Sequence, residues 1–269
     1  MQLIQKVVGI LADRGKRELP VERVYRHLWR EDLLIEAYAR IGKNDGATTP
    51  GIDSETVDGM SLDRIRRISQ VLQANDWHWS PARRVEIPKP KGGTRPLGLP
   101  KWSDKLIQQA IRSLLEPYYE PQFSRSSFGF RRGLGCHHAL DHIRHHWVGT
   151  KWFIEGDVVK CFDHINHSVL LDTLREKVHD QRMIKLIRKM LEAGYLVDWR
   201  YHPSLSGTPQ GGVLTPPTML RTTLLGAPFK RGRSDPIHDA HLLHVDFDPP
   251  HQGPDNFPSR VPVRRLQPL

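Results

Sequence analysis

Apolar residues recur at helix and strand intervals from the N-terminus to about Thr215, and from there to Leu269 they do not. That break limits how much of the chain can build a core, because buried apolar surface must offset the entropy of ordering the backbone. Residues 216–269 are rich in Pro, His, Arg and Asp, a composition that predicts a disordered tail. Upstream, the periodicity predicts an α/β (α+β) fold. Met1–Leu19 reads as a short amphipathic helix. Val21, Val24, Leu28, Leu33, Ile35, Ala37 and Ala39 predict a helix within residues 21–42. A second helix is expected over Ser61–Ala74, with Leu62, Ile65, Ile68, Val71 and Leu72 facing a core. Arg83–Pro88 reads as a strand, returned by the turn Lys91-Gly92-Gly93-Thr94 through Arg95 to Leu99.

Farther on, Trp102 to about Tyr118 is helical, with Ser103 as the expected cap and a stop near Pro117. Residues 134–147 form another expected helix, and Lys151–Glu155 a short buried strand released by Gly156. A helix starting near Asn166 or His167 is expected to run to about Val178, and another to cover Arg182–Ala193. Tyr195–Trp199 follows as a strand, then a glycine-bearing loop, Ser206-Gly207-Thr208-Pro209-Gln210-Gly211-Gly212.

The net charge of +10 favours a polyanionic partner, nucleic acid first, although an inert basic surface or anionic lipid fits the same number. No apolar run is long enough to span a bilayer, and Lys6, Asp13, Arg14 and Lys16 interrupt the N-terminal apolar residues, against a signal peptide. Cys136 and Cys161 have no neighbouring cysteine. They predict no disulfide partner and fit a reducing, cytoplasmic location. His137–His138 and His145–His146 match no zinc spacing.

Four segments carry chemistry. In Ile154-Glu155-Gly156-Asp157-Val158-Val159-Lys160-Cys161-Phe162-Asp163, a carboxylate leaves the end of a buried strand and an aromatic follows five positions later. That suits nucleotidyl transfer, in which carboxylates hold Mg²⁺ ions about 3.5–4 Å apart against the attacking and leaving oxygens. The aromatic would pack on the incoming sugar. A strand-end carboxylate above a core phenylalanine fits the same letters. The segment Ile87-Pro88-Lys89-Pro90-Lys91-Gly92-Gly93-Thr94-Arg95-Pro96 is a basic hairpin able to lay Lys89 and Arg95 on a triphosphate, or simply a solvated turn. Ser126-Ser127-Phe128-Gly129-Phe130-Arg131-Arg132-Gly133 and Gly207-Thr208-Pro209-Gln210-Gly211-Gly212 are generic loops taken singly.

Their order and separation together resemble the fingers and palm of group II intron reverse transcriptases. Lys43–Asp53 with Thr56-Val57-Asp58-Gly59, Trp102–Gln108 and Glu116–Phe123 are similar to further motifs of that family. The resemblance runs from about residue 20 to 215. It implies a right-hand polymerase: residues 1–80 a helical N-terminal extension with the first fingers segment, 81–150 fingers, 151–215 a partial palm, 216–269 the tail. It also implies RNA-directed DNA polymerisation from dNTPs on an RNA template with a DNA primer, with Mg²⁺ as cofactor and intron RNA as partner. Asp157 would be the first metal ligand, with the Val158 carbonyl beside it. Lys89 and Arg95 would bind the triphosphate, Phe162 would gate the sugar and Gln210 would line the nucleotide pocket. Phe128, Gly129, Phe130 and Arg131 would line the template path. The alternatives are a maturase-like RNA-binding splicing cofactor that does not polymerise, and a decayed fragment with no selected role.

The sequence departs from the family after Leu214-Thr215-Pro216. The Tyr-x-Asp-Asp hairpin expected downstream does not occur, and His244-Val245-Asp246-Phe247-Asp248 lacks apolar flanks to present its aspartates. The expectation is a palm truncated after the Pro-Gln-Gly loop by a change of reading frame, and a defective polymerase.

Overall fold

The computed structural model describes residues 2–44, 46–89, 92–149, 162–208 and 212–214. Asp157, Val158 and Gln210, the expected strand Lys151–Glu155, Cys161 and the tail from Thr215 onward lie outside the described residues.

The fold is a mixture of helices and sheet organised around one helix. α4 (Trp102–Tyr119) buries fourteen of its eighteen residues, including Leu106, Ile107, Ala110, Ile111, Leu114 and Tyr118. So broad a buried surface needs covering on more than one side. α1 (Gln2–Lys16) and α2 (Glu31–Ile41) both pack against it. The approach of α1 is possible because Gly15 has no Cβ: one built there would lie 2.0 Å from the Tyr118 carbonyl oxygen. α3 (Leu62–Gln73) packs on α2, capped by Ser61, whose Oγ accepts the Arg64 N–H at 3.2 Å. Its core face is Ile65, Ile68 and Leu72 only; Leu62 and Val71, expected inside, are exposed.

One expectation for α4 is corrected. Ser103 is not its cap but lies inside the first turn, buried, its Oγ donating to Glu55 at 2.5 Å. Pro117 lies inside the last turn of α4, which ends at Tyr119, close to the expected stop. The expected 21–42 helix is also three pieces. β1 (Val21–Glu22) is followed by Arg23 at φ 51°, a left-handed conformation that breaks any helix, then by the 3₁₀ turn Val24–His27, and only then by α2. Val21–Glu22 pairs in parallel with β4 (Val178–His179), a contact no local pattern announces. Tyr25 N–H meanwhile donates to Asp180 Oδ2 at 2.8 Å.

The main sheet is built from β2 (Ala82–Pro88), β3 (Thr94–Leu99), β5 (Tyr195–Val197) and β6 (Arg200–His202), in the order β3-β2-β5-β6. β2 and β3 form the expected hairpin, and β5 lies parallel to β2 through Ala82↔Tyr195 and Arg83↔Leu196. The run expected as one strand to Trp199 instead turns back at Asp198 and Trp199, both at positive φ, into β6. α5 (Cys136–His146), α6 (His167–Arg175) and α7 (Gln181–Glu192) lie where the periodicity placed helices, α6 stopping three residues short of Val178. Asn166 Oδ1 caps α6 and Asp180 Oδ1 caps α7.

Between these layers, Asp104 is buried at the start of α4. It accepts Trp77 Nε1–H and Ser80 N–H, both at 3.1 Å. Nearby, Glu55 holds Arg64 and Lys101, the latter at 3.2 Å, and Lys101 also meets Asp53 at 3.3 Å. Lys105 Nζ donates to the Thr49 carbonyl at 3.2 Å. Residues 46–55 are thereby moored to α3 and α4. Burial acts to raise the Glu55 carboxyl, but Ser103, Lys101 and Arg64 outweigh it and its pKa is lowered.

Candidate active site

The basic hairpin is built as a ladder. Ile87 faces Arg95 and Pro88 faces Thr94, and Lys89 N–H extends the pairing to the Gly93 carbonyl at 3.0 Å. Gly92 and Gly93 turn the chain at φ 89° and 77°, conformations that favour glycine. Residues directly opposite share a face, as do residues two apart. Lys89, Ile87 and Arg95 therefore project from the same face of an exposed tip, and neither cation has an acidic partner within ion-pair distance among the described residues. Two unneutralised cations side by side suit the oxygens of a polyphosphate.

The second assembly joins segments distant in sequence. Thr208 N–H donates to the Phe162 carbonyl at 2.8 Å, Gly207 N–H to the Ile165 carbonyl at 2.8 Å, and Ser206 Oγ to the Asp163 carbonyl at 3.3 Å. His167 Nε2 donates back to the Gly207 carbonyl at 2.6 Å. The stem of the Gly-Thr-Pro-Gln-Gly loop is thus sewn to the half-buried Phe162 and the turn after it. On the far side of the loop, Val213 N–H donates to Gln108 Oε1 of α4 at 2.9 Å, and Leu214 is fully buried. Gln108 and His167 are positioning residues that sequence reading missed. Gln108 lies in a motif the sequence offers, but the role of neither residue is readable there, because their partners are main-chain atoms.

Gly207 carries this junction. It sits at φ 81°, and a Cβ there would meet the Phe162 and Asp163 carbonyl oxygens at 2.9 Å. Gly207→Ala is expected to destabilise the protein by about 1–3 kcal/mol through backbone strain and crowding. It should also raise proteolytic cleavage within residues 203–208; an unchanged melting curve and cleavage pattern would contradict this.

The Phe128–Arg131 loop is held by its own arginine. Arg131 Nε and Nη2 donate to Glu120 Oε1 at 2.9 and 2.8 Å, Nη1 donates to the Ser124 and Ser127 carbonyls, and the guanidinium lies 5.5 Å from the Phe123 ring centre. Phe130, at φ 58°, is left 66% exposed, beside a cavity of about 240 Å³ that Arg40, Arg112 and Arg132 help to line. Phe128 instead packs on His142, ring centres 5.4 Å apart. Gly129 has open space around it. Among the described residues, no three His, Cys, Asp or Glu side chains converge as a metal site.

Residues 87–224, from the hairpin through the sewn loop, match the model of the family described as reverse transcriptase (RNA-dependent DNA polymerase). The chain is a member of the reverse transcriptase family. Within that family it belongs with the group II intron-encoded proteins. The group II intron-encoded protein LtrA of Lactococcus lactis subsp. cremoris is 46% identical over 195 residues, which cover 72% of this chain and 33% of LtrA. An uncharacterized 91 kDa protein in the cob intron of Schizosaccharomyces pombe is 42% identical over 219 residues, 79% of this chain and 27% of that protein. This reverse transcriptase chain therefore spans about a third or less of the length of these relatives. Among solved structures, a partial Cas6-RT-Cas1–Cas2 complex matches with a TM-score of 0.50 at 19% identity, covering 73% of this chain and 33% of that one; the likeness is one of fold. No helix among the described residues is long and apolar enough to cross a membrane.

Proposed function

We propose that the chain carries the incoming-nucleotide side of an RNA-directed DNA polymerase site. Lys89 and Arg95 grip the dNTP triphosphate, Phe162 packs on the sugar, Gln210 lines the pocket, and Phe128–Arg131 borders the RNA template paired to a DNA primer. The observation that carries this reading is the shared face of Lys89 and Arg95 on a hairpin at the start of the family match. The hydrogen bonds that join the Phe162 turn to the Gly207 loop support the reading, since they hold Phe162 beside the stem of the Pro-Gln-Gly loop. Mg²⁺ is the cofactor of this reading; Asp157 and the Val158 carbonyl would hold it, and it would supply charge stabilisation at the transferring phosphoryl group.

The string Tyr-x-Asp-Asp does not occur in residues 1–269. One aspartate does not hold two ions in working geometry, so we expect little or no primer extension from this chain by itself. Two measurements test the reading. The chain should bind a dNTP, and Arg95→Ala and Lys89→Ala should each weaken that binding about tenfold or more, the scale of a hydrogen bond to a charged group. Unchanged nucleotide affinity in both variants would remove the assignment. Primer extension on an RNA template with Mg²⁺ tests the expectation of an inert chain; extension lost on Asp157→Ala would overturn it. A second reading, an intron RNA-binding splicing cofactor, is favoured by the net charge of +10 and by a relative named nuclear intron maturase 1 of Arabidopsis thaliana, 33% identical over 93 residues.

A further inference from the structure

We infer that the outer face of α7, together with the neighbouring 3₁₀ turn, is a docking surface for RNA phosphates, separate from the nucleotide hairpin. Helix α7 buries Met183, Ile184, Leu186, Ile187 and Leu191 and turns Arg182, Lys185 and Arg188 outward, with Lys189 half-buried beside them. The 3₁₀ turn Val24–His27 packs against this helix and contributes exposed Arg23 and Arg26. The junction is fixed by Asp180, which accepts Tyr25 N–H as well as the α7 cap, and by Arg182 lying 5.7 Å from the Tyr25 ring centre.

Four cations of α7 and two beside the turn packed on it, segments some 155 residues apart in sequence, are thus carried by one junction. The flanking acids are Glu22, Glu192 and the buried Asp180, whose oxygens are occupied by backbone N–H groups. None of the six makes an ion pair among the described residues, so their charge is not neutralised by a protein carboxylate. The positive field of this turn is already felt at His27, whose pKa is lowered by burial first and by Arg26 and Arg30 next. Clustering like charges is unfavourable in the free protein, and a polyanion relieves it.

The occupant is RNA rather than an anionic membrane. A helix that lies on lipid inserts an apolar face, and the apolar face of α7 is committed to the core. What remains is a polar, cationic ridge roughly 10 Å long from Arg182 to Lys189 at 1.5 Å per residue, suited to the phosphate backbone without base readout. This surface rests on the family reading for the identity of its polyanion, but not on nucleotide binding at Lys89 and Arg95.

The test is filter binding of the full chain to a transfer RNA across a salt series, without nucleotide. The probe variant is Lys185→Gln with Arg188→Gln, exposed helix positions where glutamine keeps helix propensity. Removing these two phosphate-binding cations should make the slope of log K against log salt shallower by about two, with weaker binding at low salt. The comparison variant, Arg66→Gln with Arg67→Gln on α3, removes equal charge elsewhere and should change the slope less. Equal changes in both variants, or no change in the first, would overturn the proposal. So would phosphatidylserine vesicles bound as tightly as the RNA and released in the first variant. Loss of dNTP binding on Arg95→Ala with an unaltered α7 result would sink this surface and leave the polymerase reading standing.

Discussion

Gly15→Ala is expected to destabilise the protein by about 3 kcal/mol or more, at the upper end of what overpacking produces. The reason is geometric. A Cβ at this position would sit 2.0 Å from the Tyr118 carbonyl oxygen and 2.8 Å from its carbon, and the obstacle is the backbone of α4 rather than a side chain able to rotate away. Relief requires α1 to move off α4, which uncovers Ile4 and Leu11 on one side and Leu114 and Tyr118 on the other. The Tyr118 hydroxyl would also lose its 3.0 Å bond to the Leu19 carbonyl. Denaturant unfolding followed by circular dichroism reads the loss. Gly9→Ala is the matched comparison: on the same helix, nothing lies within 4 Å of its built Cβ, and the better helix former should leave stability equal or slightly higher. Similar unfolding midpoints for the two variants would contradict the packing argument.

The second large effect is a dependence on pH set by Asp104. Burial pushes this carboxyl up to about 7, against the opposing pull of Ser80 N–H, Trp77 Nε1–H and Lys101. The folded pKa lies above the group's ordinary value of 3.8. Between those values the folded chain keeps a proton that the unfolded chain releases, so this contribution to stability is present at low pH and declines as pH rises toward 7. Asp104→Asn removes the titration. Relative to the unaltered chain, the variant should gain on the order of 4 kcal/mol between pH 4 and pH 8, at ~1.4 kcal/mol per pH unit. The slope is the readout, since asparagine offers one acceptor where two are used and its level at any single pH reflects that too. Parallel stability curves for the two proteins would rule Asp104 out as the titrating group.

Where structure was legible in the sequence, the signal was local. Ser61 and the run Ile65, Ile68, Leu72 define α3 because a cap and a 3.6-residue stripe are properties of adjacent residues. Gly92 and Gly93 announce the hairpin for the same reason. The letters mislead where a distant partner decides the outcome. Ser103 has the chemistry of a cap, but Glu55 holds it inside the helix. Val21 fits a helical interval, but it is drawn into a strand pair with Val178. Asp198 and Trp199 hold positive φ although neither is glycine, so the β5–β6 turn left no trace in the letters.

The site divides similarly. The residues of the hairpin and the Phe162 turn were readable as chemistry, and the register of β2 and β3 supplies what letters alone do not, a common face for Lys89 and Arg95. The stitches between Phe162 and Thr208 run main chain to main chain, and their trace in the sequence is Gly207, where the close approach excludes a side chain.

The pairing of Val21–Glu22 with Val178–His179 bears on how the molecule is made. Ribosomal synthesis delivers on the order of 5–20 residues per second, so across 155 residues the first segment waits roughly 8–30 seconds, with Tyr25 and its neighbours uncovered, until Asp180 emerges. Contacts of such wide sequence separation also slow folding itself. A nascent chain halted before residue 178 would lack the partner that seats its own beginning, and would be a natural client for chaperones.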